Sequence, residues 1–227
     1  NQNRVTKLSG GKPIEGTYTI QQEGYPLRQF YMVEYAGVDP NTGNPLWYKN
    51  ETGNETTTNW NECAKRYLGS AAPKAYGGFG TRVQWKNFDF SADFNYRLGG
   101  KVYAVSNRFF NAAGRQGNVT PTTYLYENAW TENNRYTNVP KYVYGNTSGE
   151  NNHSSRFLYS GNFLRVKNLQ LGYTLPKQLL KKALIDNMRI YVSVDNIYTF
   201  KAKDFVGYDP ETYTSGLISF QYPSTRT

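Results

Sequence analysis

Hydrophobic and polar residues alternate most strictly between Gly78 and Gly99. Phe79, Thr81, Val83 and Trp85 take every second place, with Gly80, Arg82, Gln84 and Lys86 between them. After a short turn at Lys86-Asn87, Phe88, Phe90, Ala92, Phe94, Tyr96 and Leu98 alternate with Asp89, Ser91, Asp93, Asn95 and Arg97. A period of two sends the two sets to opposite faces of a sheet. The pattern predicts an antiparallel hairpin with one aromatic and aliphatic face and one charged face. Such a hairpin suits a soluble protein that packs its apolar face on a second sheet. It equally suits an outer-membrane barrel, with apolar residues toward lipid and charged ones lining the lumen.

Two further runs read as strands but carry phase breaks. In 188–200, Met188, Ile190, Val192 and Val194 share a face until Asn196 interrupts it. In 162–174, Leu164 and Val166 share one face, and Leu169, Leu171 and Tyr173 the other. A β-bulge near Lys167-Asn168 would reconcile them, as would a strand whose upper part rises above a membrane; the second is the expectation. Between the runs, Pro176 opens a segment with Leu179, Leu180, Ala183 and Leu184 at helical spacing, which predicts a short helical connector. Lys177, Lys181 and Lys182 read as its solvated side.

Connections alternate between short and long. The turn at Asn87 is tight and the 176–186 connector compact, whereas 101–160 shows no clear periodicity. Long structureless loops are uncommon in compact domains, but membrane barrels combine short periplasmic turns with long extracellular loops. With the long loops outside, the run from Leu27 to Ala36 goes up, 78–86 down, 88–99 up, 162–174 down and 188–200 up. The segment after Tyr222 then begins a final descent.

Composition narrows the choice. Of 227 residues only 38% are apolar, yet 16% are aromatic, including 21 tyrosines. Such chains suit all-β proteins with outward aromatics and polar loops. No run approaches the ~20 apolar residues of a membrane-spanning helix. Cys63 is the only cysteine, which excludes an intrachain disulfide and a cysteine-based zinc site. The net charge of +9 is dispersed, with no long basic cluster, so nucleic acid is not an expected partner. Asn1 follows neither an initiator Met nor a signal peptide, and the chain reads as starting inside a longer one.

Chemistry is sparse. The lone His153 lies in a polar stretch and reads as an exposed loop residue, not a triad base. Neither a nucleophile elbow nor a phosphate-cradling loop is present, and no metal or cofactor is expected. Asp39-Pro40-Asn41-Thr42-Gly43 reads as a plain turn, because Asn50 stands where a calcium loop needs its bidentate Glu. Asp89 and Asp93 share a face about 13 Å apart at ~3.3 Å rise per residue. With Arg82, Lys86 and Arg97 they read as cross-strand charge pairs along a wet lumen, not as a glycosidase pair. The best candidates for ligand contact are loop aromatics: Trp47, Tyr48 and Trp60 in one long loop, Tyr124, Tyr126, Trp130 and Tyr136 in the other. They could stack on sugars or bury peptide side chains, or serve loop packing or a partner interface.

One resemblance covers most of the chain. Gly161 to Phe200 reads GNFLRVKNLQLGYTLPKQLLKKALIDNMRIYVSVDNIYTF, followed by Gly207-Tyr208-Asp209-Pro210-Glu211 and, at the end, YPSTRT. This resembles the C-terminal end of the SusC/RagA-like TonB-dependent outer-membrane transporters, with "NFLRLKNLTLGY-LP", "RVYVSGQNLFTF", "GYDPE" and Tyr-Pro-x-x-Arg-Thr in the same order and spacing. Upstream, Glu23-Gly24-Tyr25-Pro26-Leu27, Phe30-Tyr31, the run from Ala36 to Gly43 and Pro45-Leu46 look like that family's "EGYPLGSFYGYEYAGVDPETGDPLY". Gly77-Gly78-Phe79-Gly80 and Gly99-Gly100-Lys101-Val102-Tyr103 match as well.

The resemblance implies an all-β fold: an antiparallel transmembrane β-barrel of roughly 22 strands, of which residues 1–227 supply the C-terminal portion. It also implies active import of glycans or peptides across the bacterial outer membrane. A plug domain and TonB act through regions absent from this sequence, a SusD-type lipoprotein caps the mouth, and no residue is catalytic. The rival reading is a soluble all-β glycan-binding module, which accounts for the alternation and the aromatics but not for the sixty-residue loop or the ordered C-terminal match.

Overall fold

The structure, a computed structural model, describes residues 3–115, 117–149, 152–181, 185–207, 209–211, 215–220 and 225. Its strands are β1 (Ile14–Glu15), β2 (Thr19–Gln21), β3 (Gln29–Val33), β4 (Tyr35–Val38), β5 (Pro45–Tyr48), β6 (Thr56–Thr57), β7 (Lys65–Ser70), β8 (Ala75–Trp85), β9 (Phe88–Leu98), β10 (Lys101–Ala104), β11 (Leu158–Ser160), β12 (Phe163–Thr174), β13 (Arg189–Lys201) and β14 (Leu217–Ile218). Three short α-helices accompany them: α1 (Asn107–Phe110), α2 (Thr123–Asn128) and α3 (Lys177–Leu180).

The long strands form one antiparallel sheet in the order β13-β12-β9-β8. Strands of 11, 11, 12 and 13 residues reach or exceed the ~9–11 tilted residues that a bilayer-crossing strand needs. Lys86, at φ 53°, makes the tight turn that the alternation predicts. Both phase breaks resolve as bulges, and the expectation of a strand top rising above the membrane is corrected. Val166 pairs with Phe94 and Asn168 with Asp93, so Lys167 is extra in β12. Opposite, Val166 pairs with Tyr198 and Asn168 with Asp195, so Asn196 and Ile197 are extra in β13. Asn196 sits at φ 52°, a left-handed conformation that asparagine tolerates better than most residues. The single extra residue in β12 flips its phase, which returns Val166, Leu169 and Leu171 to one face, whereas the two in β13 keep its phase, so Val194 and Tyr198 stay on that same face.

That face is apolar and bare. Phe79, Val83, Trp85, Phe88, Phe90, Leu98, Leu171, Ile190, Val192, Val194, Tyr198 and Phe200 are all exposed. Aromatics gather at both of its ends: Phe88 packs on Tyr173 by the turns, and Tyr198 on Phe200 at the opposite end.

The remaining strands form a folded lobe at the end opposite the tight turn, where the expected long loops were unstructured. The chain enters it through Gly99 and Gly100, both left-handed. A Cβ on Gly100 would stand 2.9 Å from the Ala71 carbonyl oxygen, so glycine is needed for this close approach. Here β1-β2-β3-β7, β4-β5-β6 and β11-β10-β14 make three small sheets. Their main core is Phe30, Met32, Ala71, Tyr103 and Phe157. The segment 101–160 is therefore not structureless. Thr122 caps α2 by accepting from the Leu125 N–H, and Leu125 buries against Ala113 and Val139. Nor is the run from Leu27 to Ala36 a barrel strand: β3 pairs with β2 and β7 inside the lobe, because four of its five residues are buried. Residues 182–184 of the helical connector, and the start of the expected final strand after Tyr222, lie outside the described residues.

Candidate functional site

The polar face of the long sheet carries separate hydrogen-bonded clusters. Arg189 of β13 donates two hydrogen bonds to Asp89 of β9, the Nε–Oδ1 contact at 2.9 Å, across the intervening strand β12. Gly172 makes this reach possible, since a Cβ there would stand 2.4 Å from Asp89 Oδ1 and 2.5 Å from Arg189 Nη2. Asp93 similarly lies over Gly80, where a Cβ would meet its Oδ1. Asn168 donates to Ser193 Oγ at 2.9 Å and to Asp195 Oδ1 at 2.7 Å. Arg82 and Asp89 stand on this same polar face, opposite Ser91 and Gln84 respectively. Lys86 occupies the turn, with its ammonium 4.9 Å from the centroid of the Trp85 ring.

The lobe end of this face is more deeply built. Arg165, only 1% exposed, donates through Nη2 to both oxygens of Asp209 at 2.5 and 2.6 Å, through Nε to Thr199 Oγ1 at 3.1 Å, and pairs with Glu211 at 2.6 Å. Burying a guanidinium is costly unless charge and hydrogen bonds compensate, and here two carboxylates do so. These carboxylates belong to the segment after β13, whose Phe205 packs into the lobe beside Val102, Ala104 and Tyr159. The segment thus straps the lobe to the sheet. Beside it a cavity of about 800 Å³ is bordered by Arg28, Tyr76, Asn95, Arg97, Phe163 and Glu211, among others. Arg97 is buried and donates to the Ala71 carbonyl at 2.6 Å, which ties the sheet to the lobe.

No protein-family model matches the chain. Curated relatives do. It is 28% identical to TonB-dependent receptor P3 of Formosa agariphila, over all of this chain and 25% of that protein. It is 29% identical to TonB-dependent receptor SusC of Bacteroides thetaiotaomicron, over all of this chain and 22% of that protein. Among solved structures, the RagAB peptide transporter matches with a TM-score of 0.78 and 31% identity, over 98% of this chain and 25% of that one. The chain is a homologue of part of the SusC/RagA-like TonB-dependent receptors. It spans about a quarter of the length of the relatives it matches.

In this SusC-like chain the loop aromatics divide sharply. Trp47 is fully buried in β5, edge-on to Trp60 with centroids 5.3 Å apart, so its expected role as a surface ligand contact is corrected. The alternation Pro45-Leu46-Trp47-Tyr48 turns Pro45 and Trp47 inward. Tyr48 is half-buried beneath the Arg66 guanidinium, 4.1 Å from its ring. Trp130 is half-buried against Gly43 and donates its indole N–H to the Pro40 carbonyl at 3.1 Å. Tyr124 and Tyr126 on α2 remain exposed, as does Tyr136. Sequence reasoning missed the cavity, whose walls come from segments far apart in the chain and whose only available signal was Arg28 after a Pro-Leu turn. His153 is not an exposed loop residue: it packs edge-on against Tyr18 with centroids 4.8 Å apart. Burial, with Arg108 and Lys65 nearby, lowers its pKa below the ordinary histidine value. The Asp39 segment is a turn, with Asp39 accepting from the Asn41 N–H at 3.0 Å and the Thr42 hydroxyl at 2.6 Å.

Proposed function

We propose that this chain forms part of the wall and mouth of an outer-membrane TonB-dependent importer of large nutrients, glycans or peptides. In this reading β8, β9, β12 and β13 cross the bilayer and the lobe stands at the extracellular mouth. Arg82, Asp89 and Asp93 line the lumen side, whereas Lys86 sits in the turn against the Trp85 ring of the apolar face and Arg97 is buried against the lobe. A SusD-type lipoprotein caps the mouth, and TonB supplies the work through the rest of the protein. The peptide transport named for RagAB favours peptides as one substrate class. The barrel wall acts by lining a path, and its side chains need perform no covalent step.

The observation that carries this reading is the two-faced sheet. A dozen large apolar residues stand exposed on one side, while the other pairs Arg189 with Asp89 across the sheet and Arg165 with Asp209 of the strapping segment. In water such an apolar face would be an aggregation liability; in a bilayer it is the required surface. A soluble glycan-binding module would need a second sheet over that face, and none covers it among the described residues. The test is cysteine accessibility in the whole transporter, embedded in outer membranes. Single cysteines at 88, 90, 92 and 94 should resist a charged thiol reagent, and cysteines at 91 and 93 should react. A uniform pattern on the two faces would defeat the proposal.

A further inference from the structure

The cavity at the junction of lobe and sheet carries an anomaly at Arg28. Its φ of 62° is left-handed, a conformation comfortable for glycine and strained for arginine. The surrounding backbone holds it there: the Arg28 carbonyl accepts from the Ala71 N–H at 3.2 Å, and Gln29 is registered against Ile20 and Ser70. Strained residues of this kind gather at ligand sites.

The charges around the cavity point the same way. Its border carries two arginines, Arg28 and Arg97, against one carboxylate, Glu211. Glu211 is 44% exposed and pairs with Arg165, but Arg165 also holds both oxygens of Asp209. An incoming carboxylate can therefore displace Glu211 without stranding Arg165. Tyr76, Phe163 and Asn95 add flat apolar surface and an amide, and about 800 Å³ lies within the ~300–1,000 Å³ usual for organic ligands.

We propose that this cavity is a binding subsite for a carboxylate of the imported molecule, with Arg28 as the specificity-determining residue. The inference rests on the import reading above. An acidic peptide and a uronate-bearing glycan share the chemistry, and the test separates them. The whole transporter in detergent, at low ionic strength, is titrated calorimetrically with end-capped triglutamate against triglutamine, and with trigalacturonate against its methyl ester. At least one acid binds about tenfold tighter than its neutral counterpart, a gap of about 1.4 kcal/mol. Whichever acid does so identifies the source.

Arg28→Gly shrinks that preference below about threefold, roughly 0.7 kcal/mol. The unfolding temperature holds, because glycine relieves the strain at φ 62°. Glu211→Gln widens the preference by removing the competing carboxylate. Equal affinity for acid and neutral probe, a preference that survives Arg28→Gly, or no measurable binding of either acid overturns the subsite. Each of those results leaves the import reading standing, since the cysteine pattern tests it separately.

Discussion

Replacing Phe94 by arginine puts a charge at the centre of the apolar face. β9 runs from Phe88 to Leu98, so Phe94 is one residue from its midpoint, stacked on Phe79 with centroids 4.9 Å apart. If the strand centre meets the bilayer midplane, Phe94→Arg costs about 2–4 kcal/mol. Phe90 lies three residues below the midpoint, about 10 Å along the strand at ~3.3 Å per residue. With a tilt near ~40° that is about 8 Å of depth, still inside the ~25 Å apolar band, so Phe90→Arg costs about 2 kcal/mol. Ser91→Arg, on the polar face beside Arg82 and Gln170, should cost about 1 kcal/mol or less. The assay is urea unfolding of the whole transporter in lipid vesicles, with the folded fraction read from its heat-modifiable gel mobility. Costs ordered Phe94, Phe90, Ser91 support the geometry. A neutral Phe94→Arg, or a Ser91→Arg as damaging as it, would refute the reasoning.

Three further outcomes are expected. Trypsin added to intact cells should cut at Arg135, exposed in the lobe, and spare Lys86 in the tight turn; the reverse would invert the orientation. Arg165→Met should destabilise the transporter by about 3–5 kcal/mol, because it leaves Asp209 and Glu211 facing each other without their shared cation. In the same denaturation assay, Arg165→Met with Asp209→Asn and Glu211→Gln should recover most of the loss. Finally, His153 is held neutral by burial and by Arg108 and Lys65, so its folded pKa lies below its unfolded one. The stability it contributes is complete above about pH 6.5, the ordinary histidine value, and is lost as pH falls through the lower folded value. Thermal melting of wild type against His153→Gln from pH 7 to 5 should show a shallower decline in the variant.

What could be read from the sequence follows the range of the interactions involved. The β8–β9 hairpin was legible because alternation and a two-residue turn are local, and the apolar face of 79–98 emerges as the pattern predicts. The bulges at Lys167 and Asn196 left only a phase break, which two geometries satisfied until the ladder registers were seen. The cross-strand reading of Asp89 found the right kind of partner but the wrong strand. Arg189 reaches it over Gly172, and nothing local shows that β12 lies between them. The lobe was least legible. Its strands run from two to six residues, too short for periodicity to declare them, and its core joins Phe30 to Tyr103 and Phe157 across long sequence separations. Trp47 looked like a surface aromatic because Trp60 of its own loop and Tyr35 meet its ring only once β4, β5 and β6 pair.

The central claim is that this sheet has one lipid face and one water face, and cysteine scanning through β9 in outer membranes measures that most directly. Positions 88, 90, 92 and 94 should stay unlabelled by a charged thiol reagent until the membrane is dissolved, while 91 and 93 label at once. Labelling at every position, or the inverse alternation, would contradict the account.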